Sequence, residues 1–212
     1  MFERLAVIDL EADEATLVDC IAELEHLKCV AAAGQARLTA ALDEKRRARE
    51  ATEGVPAAKR GRGLASEIAL ARHDSPNRGG RHLGFARALV HEMPHTLAAL
   101  EAGALSEWRA TLIVRESACL TVEDRGKLDA QMCADQSELD GKGDKRIAAT
   151  AKAIAYQLDP QAVVDRAVRA ERERTVTIRP APDAMTYVTA LLPMTQGVSV
   201  YAALKRNVEL MH

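Results

Sequence analysis

The amino-acid sequence predicts a mainly α-helical fold: a multi-helix bundle with a helix-turn-helix-like unit and a small C-terminal β-hairpin followed by a helix. Apolar residues recur at three- and four-residue steps through most of residues 13–172, as they do in amphipathic helices. Only 3% of the 212 residues are aromatic, so alanine, leucine and valine supply the core and favour close helix packing. From residue 174 the apolar pattern changes to the alternation that is typical of strands.

The first predicted element is a long helix over residues 13–50, within an N-terminal segment that we assign to residues 1–51. Asp13 or Thr16 caps its start, and its charged last turn is typical of a solvated helix end. A basic linker with one proline and three glycines follows over residues 52–63. The apolar stripe of the helix consists of Leu17, Ile21, Leu24, Leu27, Val30, Leu38 and Leu42.

A helical domain is predicted over residues 64–172, and its first part, residues 64–118, has the spacing of a helix-turn-helix-like unit. Pro94 and Gly103 each end a helix, because proline cannot continue one and glycine suits a left-handed residue after one. The first three predicted helices span residues 64–72, 81–93 and 95–102. The fourth follows its N-cap Ser106 and ends at residue 118 or 120. The last three span residues 121–132, 145–158 and 160–172.

The last segment, residues 173–212, is predicted to form the β-hairpin and a closing helix. Two β-branched runs, residues 174–180 and 185–193, are separated by the turn sequence Ala-Pro-Asp-Ala. The closing helix is predicted over residues 198–211, with Ser199 as a candidate N-cap.

Composition and charge exclude several classes of protein. The formal net charge of −2 gives no general argument for nucleic-acid binding, but residues 59–87 carry seven basic and two acidic residues. The N-terminus has acids where a signal peptide needs bases, and no apolar run approaches the roughly 18 residues of a membrane span. We therefore expect a soluble cytoplasmic protein without membrane contact, whose four cysteines, which form no Cys-x-x-Cys pair, are free thiols.

The local basic charge lies on the helix-turn-helix-like unit, which makes duplex DNA a candidate partner. In such a unit the second helix enters the major groove, and the residues of its first turns face the base edges. Arginine commonly reads guanine, and asparagine reads adenine. We predict DNA contacts from Asn77, Arg78, Arg81, His82 and Arg87 of this helix, with Lys59, Arg60 and Arg62 of the linker on phosphates.

Two glycines weaken the prediction of this helix. Gly79 and Gly80 each cost about 1 kcal/mol of helix propensity, so we predict that the helix begins only at Arg81 or becomes ordered when phosphates are present. The alternative for the same residues is a plain helical subdomain with a solvated basic face. The positions that would face the core are Leu83, Phe85, Ala86, Leu89 and Val90.

The sequence contains no recognisable catalytic constellation. Motifs of zinc hydrolases, serine hydrolases, P-loop proteins and dinucleotide-binding proteins are absent. His91 and His95 have a ligand-like spacing, but Pro94 between them breaks the helix that would place both on one face. We therefore predict no catalytic residues, no metal ligands, no cofactor and no small-molecule substrate, and a remnant enzyme is only a third alternative.

The single tryptophan follows the glycine corner at Gly103. Trp108 lies in the first turn of the helix that Ser106 caps. We expect its ring to fill the wedge between this helix and the preceding one, with the indole N–H donating to an exposed carbonyl at the corner. The expected ion pairs nearby join Arg109 and Arg115 to Glu101, Glu107 or Glu116.

Two segments carry a resemblance to a known family. They are residues 99–117, ALEAGALSEWRATLIVRES, and residues 159–193, DPQAVVDRAVRAERERTVTIRPAPDAMTYVTALLP, with the helix that follows. On these segments, which cover about half of the chain, the protein resembles the actinobacterial 13E12-repeat family, built on the domain of unknown function 222. Ala184 departs from the glycine that is more usual in the hairpin turn.

The resemblance implies a role in nucleic-acid targeting. In many members of this family the domain is followed by a short HNH nuclease module with a histidine–metal finger, so that the domain itself serves targeting or specificity. The residues of HNH chemistry are absent from this chain, and the resemblance therefore implies nothing catalytic here. Residues 83–114 are also similar in layout to the helical DNA-binding segment of ParB-type partition proteins.

These observations lead to two main hypotheses. The first is a non-catalytic DNA-binding or targeting module of an HNH-nuclease-associated, mobile-element-like family, lacking the nuclease part. The second is a helical protein-interaction or dimerisation scaffold without nucleic-acid binding, in which the N-terminal helix forms a homodimer through Leu24 and Leu27. The two are compatible, because helix-turn-helix proteins often bind DNA as dimers.

Overall fold

The computed structural model of this protein describes residues 9–210. These residues form nine α-helices and a two-stranded antiparallel sheet near the C-terminus, which confirms the predicted mainly α-helical class. In this range no helix combines the length and the apolar character that crossing a membrane requires. The chain divides into two compact units, Met1–Leu158 and Asp159–His212.

The elements are numbered in chain order. The helices of the first unit are α1 (Glu14–Thr52), α2 (Leu64–Ala71), α3 (Pro76–His91), α4 (Pro94–Glu101), α5 (Glu107–Ser117), α6 (Val122–Cys133) and α7 (Asp144–Leu158). The second unit contains α8 (Pro160–Arg172), β1 (Thr175–Pro180), β2 (Thr186–Leu191) and α9 (Met194–Leu210).

Helix α1 packs through alanines and not through its leucines. Asp13 is its N-cap, because Oδ1 of Asp13 accepts a hydrogen bond from the Thr16 amide at 2.8 Å. The buried positions begin at Cys29 and are mostly alanines, whereas Leu38 and Leu42 are exposed. Small side chains let α3 and α4 approach the α1 backbone closely. The predicted apolar stripe therefore lies outside the buried core of the unit.

Helix α3 begins at Pro76 and not, as predicted, at Arg81. Proline suits the first turn of a helix, where its missing N–H is not needed. Gly79 then packs against α2 so closely that a Cβ atom would lie 2.7 Å from the Ala65 carbonyl carbon and overlap the carbonyl oxygen. This packing explains why Gly79 lies inside the helix despite its low helix propensity. Of the predicted core positions, Phe85, Ala86 and Leu89 are buried, while Leu83 and Val90 are half-buried.

The corner between α4 and α5 has the predicted backbone. Gly103 has a φ of +75°, which confirms a left-handed residue after α4. Ser106 is the N-cap of α5, since its hydroxyl accepts a hydrogen bond from the Arg109 amide at 3.3 Å. Thr121 caps α6 in the same way.

The core of the first unit is aliphatic, and the carboxylate of Asp129 is fully buried in it. Asp129 of α6 accepts hydrogen bonds from the backbone amides of His95 and Thr96, at 2.8 and 2.7 Å, and from the Thr96 hydroxyl at 2.6 Å. Asp129 therefore satisfies the free N–H groups at the start of α4 from a neighbouring helix. The largest fully buried apolar residues are Leu64, Leu89, Met93, Leu100, Leu105, Ile113, Leu128 and Ile147.

The second unit contains the predicted hairpin and helix. Strands β1 and β2 pair antiparallel, and the turn between them holds Asp183 and Ala184 in left-handed conformation, with φ of +58° and +57°. Glycine adopts such angles without strain, which explains why glycine is the more usual residue at the position of Ala184. Helix α9 begins at Met194 and not at residue 198. Ser199 is not its N-cap, because its hydroxyl donates to the Thr195 carbonyl at 3.0 Å inside the helix.

Candidate nucleic-acid interface

The N-terminal half of α3 presents an open surface to solvent. Asn77, Arg78 and Arg81 are exposed on α3. Gly80 and Gly84 of the same helix have no atom within 4 Å of their Cβ positions, so neither packs against another part of the unit. We call Asn77, Arg78 and Arg81 the α3 face. Long polar side chains here project from a helix surface on which glycines leave room for a ligand.

Asp74, which precedes α3, binds two of the residues predicted to contact DNA. Its Oδ1 accepts a hydrogen bond from Arg78 at 3.2 Å, and its Oδ2 lies 2.9 Å from Nε2 of His82. The hydrogen bond with His82, supported by the charge of Arg78, holds the pKa of Asp74 below its ordinary value. His82 is largely enclosed beside Asp74, whereas Arg78 is mostly exposed and retains further N–H donors.

Arg87 ties α3 to α1. Its Nε and Nη2 donate to the two carboxylate oxygens of Asp43, at 2.7 and 2.8 Å, and Arg47 donates a further hydrogen bond to Asp43 at 2.8 Å. Burial alone would raise the pKa of Asp43, whose side chain is only 7% exposed, but the two guanidinium groups together lower this pKa. The guanidinium of Arg87 is therefore committed to Asp43.

The connection between α1 and α2 lies beside the same carboxylate. We call residues 59–62 the basic loop. Its Gly61 amide donates to the Glu50 carboxylate at 2.6 Å, and a Cβ atom at Gly61 would lie 3.6 Å from Oδ1 of Asp43. Arg60 is half-buried and donates to the Val55 carbonyl at 2.8 Å. Lys59 and Arg62 are exposed and have no ion pair among residues 9–210.

Asp43 thus brings the basic loop and α3 into one part of the molecule. A Cβ atom at Gly61 of the loop would lie 3.6 Å from Asp43, and α3 contacts Asp43 through Arg87. Arg81 lies about 9 Å along the helix axis from Arg87, because six residues rise by about 1.5 Å each. Within the described range Arg81, like the two exposed cations of the loop, has no acidic partner. In the basic loop and on the α3 face, the cations open to a ligand are Lys59, Arg62 and Arg81. Arg78 is also available, because its side chain makes only one hydrogen bond within residues 9–210, to Asp74.

The two carboxylates that bind predicted residues, Asp74 and Asp43, differ in how far a sequence pattern indicates them. Asp74 stands four residues before Arg78, and this spacing is a sequence signal for a local ion pair. Asp43 and Arg87 are 44 residues apart, so no local pattern could have joined them. Only the packing of α1 on α3 brings them together.

The tryptophan next to the glycine corner does not fill the corner, and the expected packing role is wrong. Trp108 is 55% exposed, and its Nε1 donates to the Asp144 carboxylate at 3.0 Å and not to a carbonyl. His26 of α1 occupies the corner instead, since a Cβ atom at Gly103 would overlap Nδ1 of His26. Of the expected ion pairs, Arg115 joins Glu116, whereas Arg109 donates to Asp144 at 3.0 Å.

Among the described residues, potential metal ligands do not cluster and Cys133 is not a reactive thiol. Residues 9–210 contain no group of three or more His, Cys, Asp or Glu side chains that could hold a metal ion. The four cysteines are free thiols. Burial raises the pKa of Cys133 to about 11, and the Thr96 hydroxyl donates to its sulfur at 3.5 Å. A buried thiol with so high a pKa is a poor nucleophile, because the thiolate is the reactive form.

Comparison with known proteins places the chain in a family. No curated protein and no solved structure matches it significantly. A family model described as "Domain of unknown function (DUF222)" matches residues 20–212. The match includes α3, the basic loop and both segments on which the sequence resembles that domain. The chain therefore belongs to the DUF222 family.

Proposed function

We propose that this protein is a non-catalytic DNA-binding module that contacts duplex DNA through the α3 face and the basic loop. The observation that carries the proposal is the exposed surface of α3, where Asn77, Arg78 and Arg81 lie close along the helix to two open glycines, Gly80 and Gly84. Arginine and asparagine bind base edges in the major groove and phosphates alongside it. The glycines leave room for the DNA backbone to approach the helix.

The layout of α2 and α3 supports this proposal. A short turn over residues 72–75 connects the two helices, as in helix-turn-helix units. His73 in this turn has a φ of +53°, a left-handed conformation for which such turns often use glycine. The close contact of Gly79 with Ala65 holds α3 firmly on α2. A rigidly held second helix is what a groove-binding element needs.

The ion pairs restrict which of the predicted residues act as DNA contacts. Arg87 serves the contact with Asp43, and His82 serves the contact with Asp74, so neither is included in the proposed surface. The proposed phosphate contacts are Lys59, Arg62 and Arg81. A targeting role beside a nuclease, as the family resemblance implies, is consistent with a DNA-binding chain that has no recognisable catalytic residues.

The test is a fluorescence-anisotropy titration of a labelled random-sequence duplex. Three phosphate contacts predict that affinity falls about 40-fold when salt rises from about 50 mM to about 200 mM. The triple variant Lys59→Ala, Arg62→Ala, Arg81→Ala should bind at least about tenfold more weakly at low salt and lose most of the salt dependence.

A charge-matched control lies on α7. Lys145, Arg146 and Lys152 are also exposed, and their replacement by alanine removes the same charge from another surface. This control should bind DNA like the parent protein. Absence of binding by the parent at low salt, or equal losses in both triple variants, would refute the proposed interface.

A second candidate function is a protein-interaction scaffold. The specific observation in its favour is the uncovered apolar surface of the second unit, where Ile178, Val188 and Tyr201 are exposed. Such surfaces mark sites of protein association. The two functions involve different surfaces and do not exclude each other.

A further inference from the structure

The second unit leaves its apolar side chains uncovered. Among residues 159–209, whose side chains the structure describes, none is buried. The large apolar residues of β1, β2 and α9 are exposed instead. Soluble proteins rarely expose extended apolar patches, and such patches commonly bind another protein.

The two faces of the hairpin differ in polarity. Val176 lies opposite Ala190 and Ile178 lies opposite Val188, so these four residues share one face of the sheet. Val176, Ile178 and Val188 are between 65% and 73% exposed. The opposite face carries three threonines, the exposed Leu191 and a cation–π pair, in which the Arg179 guanidinium lies 4.2 Å from the ring centroid of its cross-strand neighbour. The face with Val176, Ile178 and Val188 is therefore the more apolar of the two.

Helix α9 carries an apolar stripe, which suits packing on this apolar face. Val198, Tyr201, Leu204 and Val208 recur at three- and four-residue steps, lie on one side of the helix and are exposed. Leu192 precedes a proline and is therefore held in an extended conformation, so α9 starts beyond the end of β2. Within one copy, α9 leaves the apolar face of the hairpin open.

Neither surface is stable by itself in water. An isolated two-stranded hairpin is marginal and needs a helix or further strands on its apolar face. Helix α9, with 17 residues, gains most of its stability by packing an apolar side against another element. The same unit contains both an apolar sheet face and an apolar helix side.

We propose that a second copy of this chain covers these surfaces. The α9 stripe of one copy lies on the Val176, Ile178 and Val188 face of its partner, and the reciprocal contact forms around a twofold axis. Such an exchange of identical elements requires no new surface, since each chain already carries both halves of the contact. The dimer goes beyond the proposed DNA contact and is tested without DNA.

The available area and charge suit a dimer. The three hairpin residues and the four residues of the α9 stripe offer roughly 700 Å² per chain, at about 100 Å² for each side chain. A stable interface buries about 800 Å² on each partner. Residues 159–212 contain six acidic and seven basic residues, so two copies of this unit repel each other little.

The test measures the mass of the full chain by sedimentation and light scattering from about 1 μM to about 200 μM, a range that spans typical dimer affinities. The parent protein should be dimeric in the upper part of this range. Ile178→Lys and Leu204→Glu should each weaken the dimer at least about tenfold, because each places two unpaired charges in the interface. An equimolar mixture of the two variants should dimerise again, since the introduced lysine of one chain then faces the introduced glutamate of the other.

Two further variants make the result decisive. Val122→Lys alters a comparably exposed valine on α6 and should leave the dimer unchanged. Leu24→Glu on α1 should also leave it unchanged, and loss of the dimer in this variant alone would place the interface on α1 and overturn the proposal. A parent that stays monomeric, or a mixture that fails to dimerise when each variant retains its helical circular dichroism, would overturn it as well.

Discussion

Gly79 of α3 lies against Ala65 of α2 with no room for a side chain between them. A Cβ atom on Gly79 would lie 2.7 Å from the Ala65 carbonyl carbon and overlap the attached oxygen. Gly79→Ala must therefore push the two helices apart, and we expect a loss of about 3 kcal/mol in the free energy of unfolding. Thermal unfolding should show this as a decrease in Tm of about 10 °C.

The neighbouring glycine supplies the matched control. Gly80 has no atom within 4 Å of its Cβ position, so an alanine fits there without displacement. Gly80→Ala should stabilise the protein by about 1 kcal/mol, because alanine has the higher helix propensity. Equal effects of the two substitutions would contradict the described contact between α2 and α3.

The Asp43 carboxylate predicts a pH-dependent contribution to stability. Its pKa is lower in the folded protein than in the unfolded chain, so its contribution is present above about pH 4 and is lost as the pH falls through the folded pKa. Asp43→Asn should cost about 2 kcal/mol near pH 7, a figure reduced by the partial exposure of Arg47 and Arg87 to water. Urea unfolding of both proteins should show a smaller difference near pH 3.

A neighbouring acid controls for the general loss of negative charge. Glu44 is mostly exposed and lies 3.6 Å from His91. Glu44→Gln should change the free energy of unfolding by less than about 1 kcal/mol at neutral pH. An Asp43→Asn variant as stable as Glu44→Gln would show that the pair with Arg87 does not hold α1 and α3 together.

The cysteines should separate into two classes of reactivity. Cys20 and Cys119 are half-buried, whereas Cys29 and Cys133 are buried and burial raises the pKa of both. With a pKa of about 11, only about one Cys133 thiol in a thousand is ionised near pH 8. A disulfide reagent should modify two thiols rapidly in the folded protein and all four in denaturant. Four rapid modifications of the native protein would be inconsistent with this core.

The fluorescence of the single tryptophan tests whether its ring is exposed or packs in the corner between α4 and α5. Because Trp108 is exposed and donates to Asp144, its fluorescence should be red-shifted and readily quenched by acrylamide in the native protein. Unfolding should then change the emission maximum little. A blue-shifted emission protected from the quencher would mean that the ring packs in the corner after all.

Local signals in the sequence predicted much of the fold. The caps at Ser106 and Thr121, the break at Pro94 and the left-handed Gly103 depend on neighbouring residues and are present in the structure. The start of α3 was not predictable in this way. Helix propensity disfavours Gly79, but its contact with Ala65 comes from a different helix.

The candidate interface, like the fold, was predicted only in part by local sequence signals. The excess of basic residues in the sequence indicates the basic segment. It does not distinguish an arginine that faces solvent from one that faces a carboxylate. Arg81 is exposed and Arg87 is bound to Asp43, although both stand on the same helix. The partner of Arg87 lies on α1, and distance along the chain hides it from any local pattern.

The sequence by itself determined the helical class, the hairpin, most helix ends and the segment in which basic charge is concentrated, because each depends on residues a few positions apart. Tertiary structure alone decided that α1 packs through alanines such as Ala33, that Gly79 forms a helix crossing and that Asp43 holds Arg87. These features depend on which helices approach each other, and how closely. That approach is set by the packing of whole helix faces, which no short stretch of sequence contains.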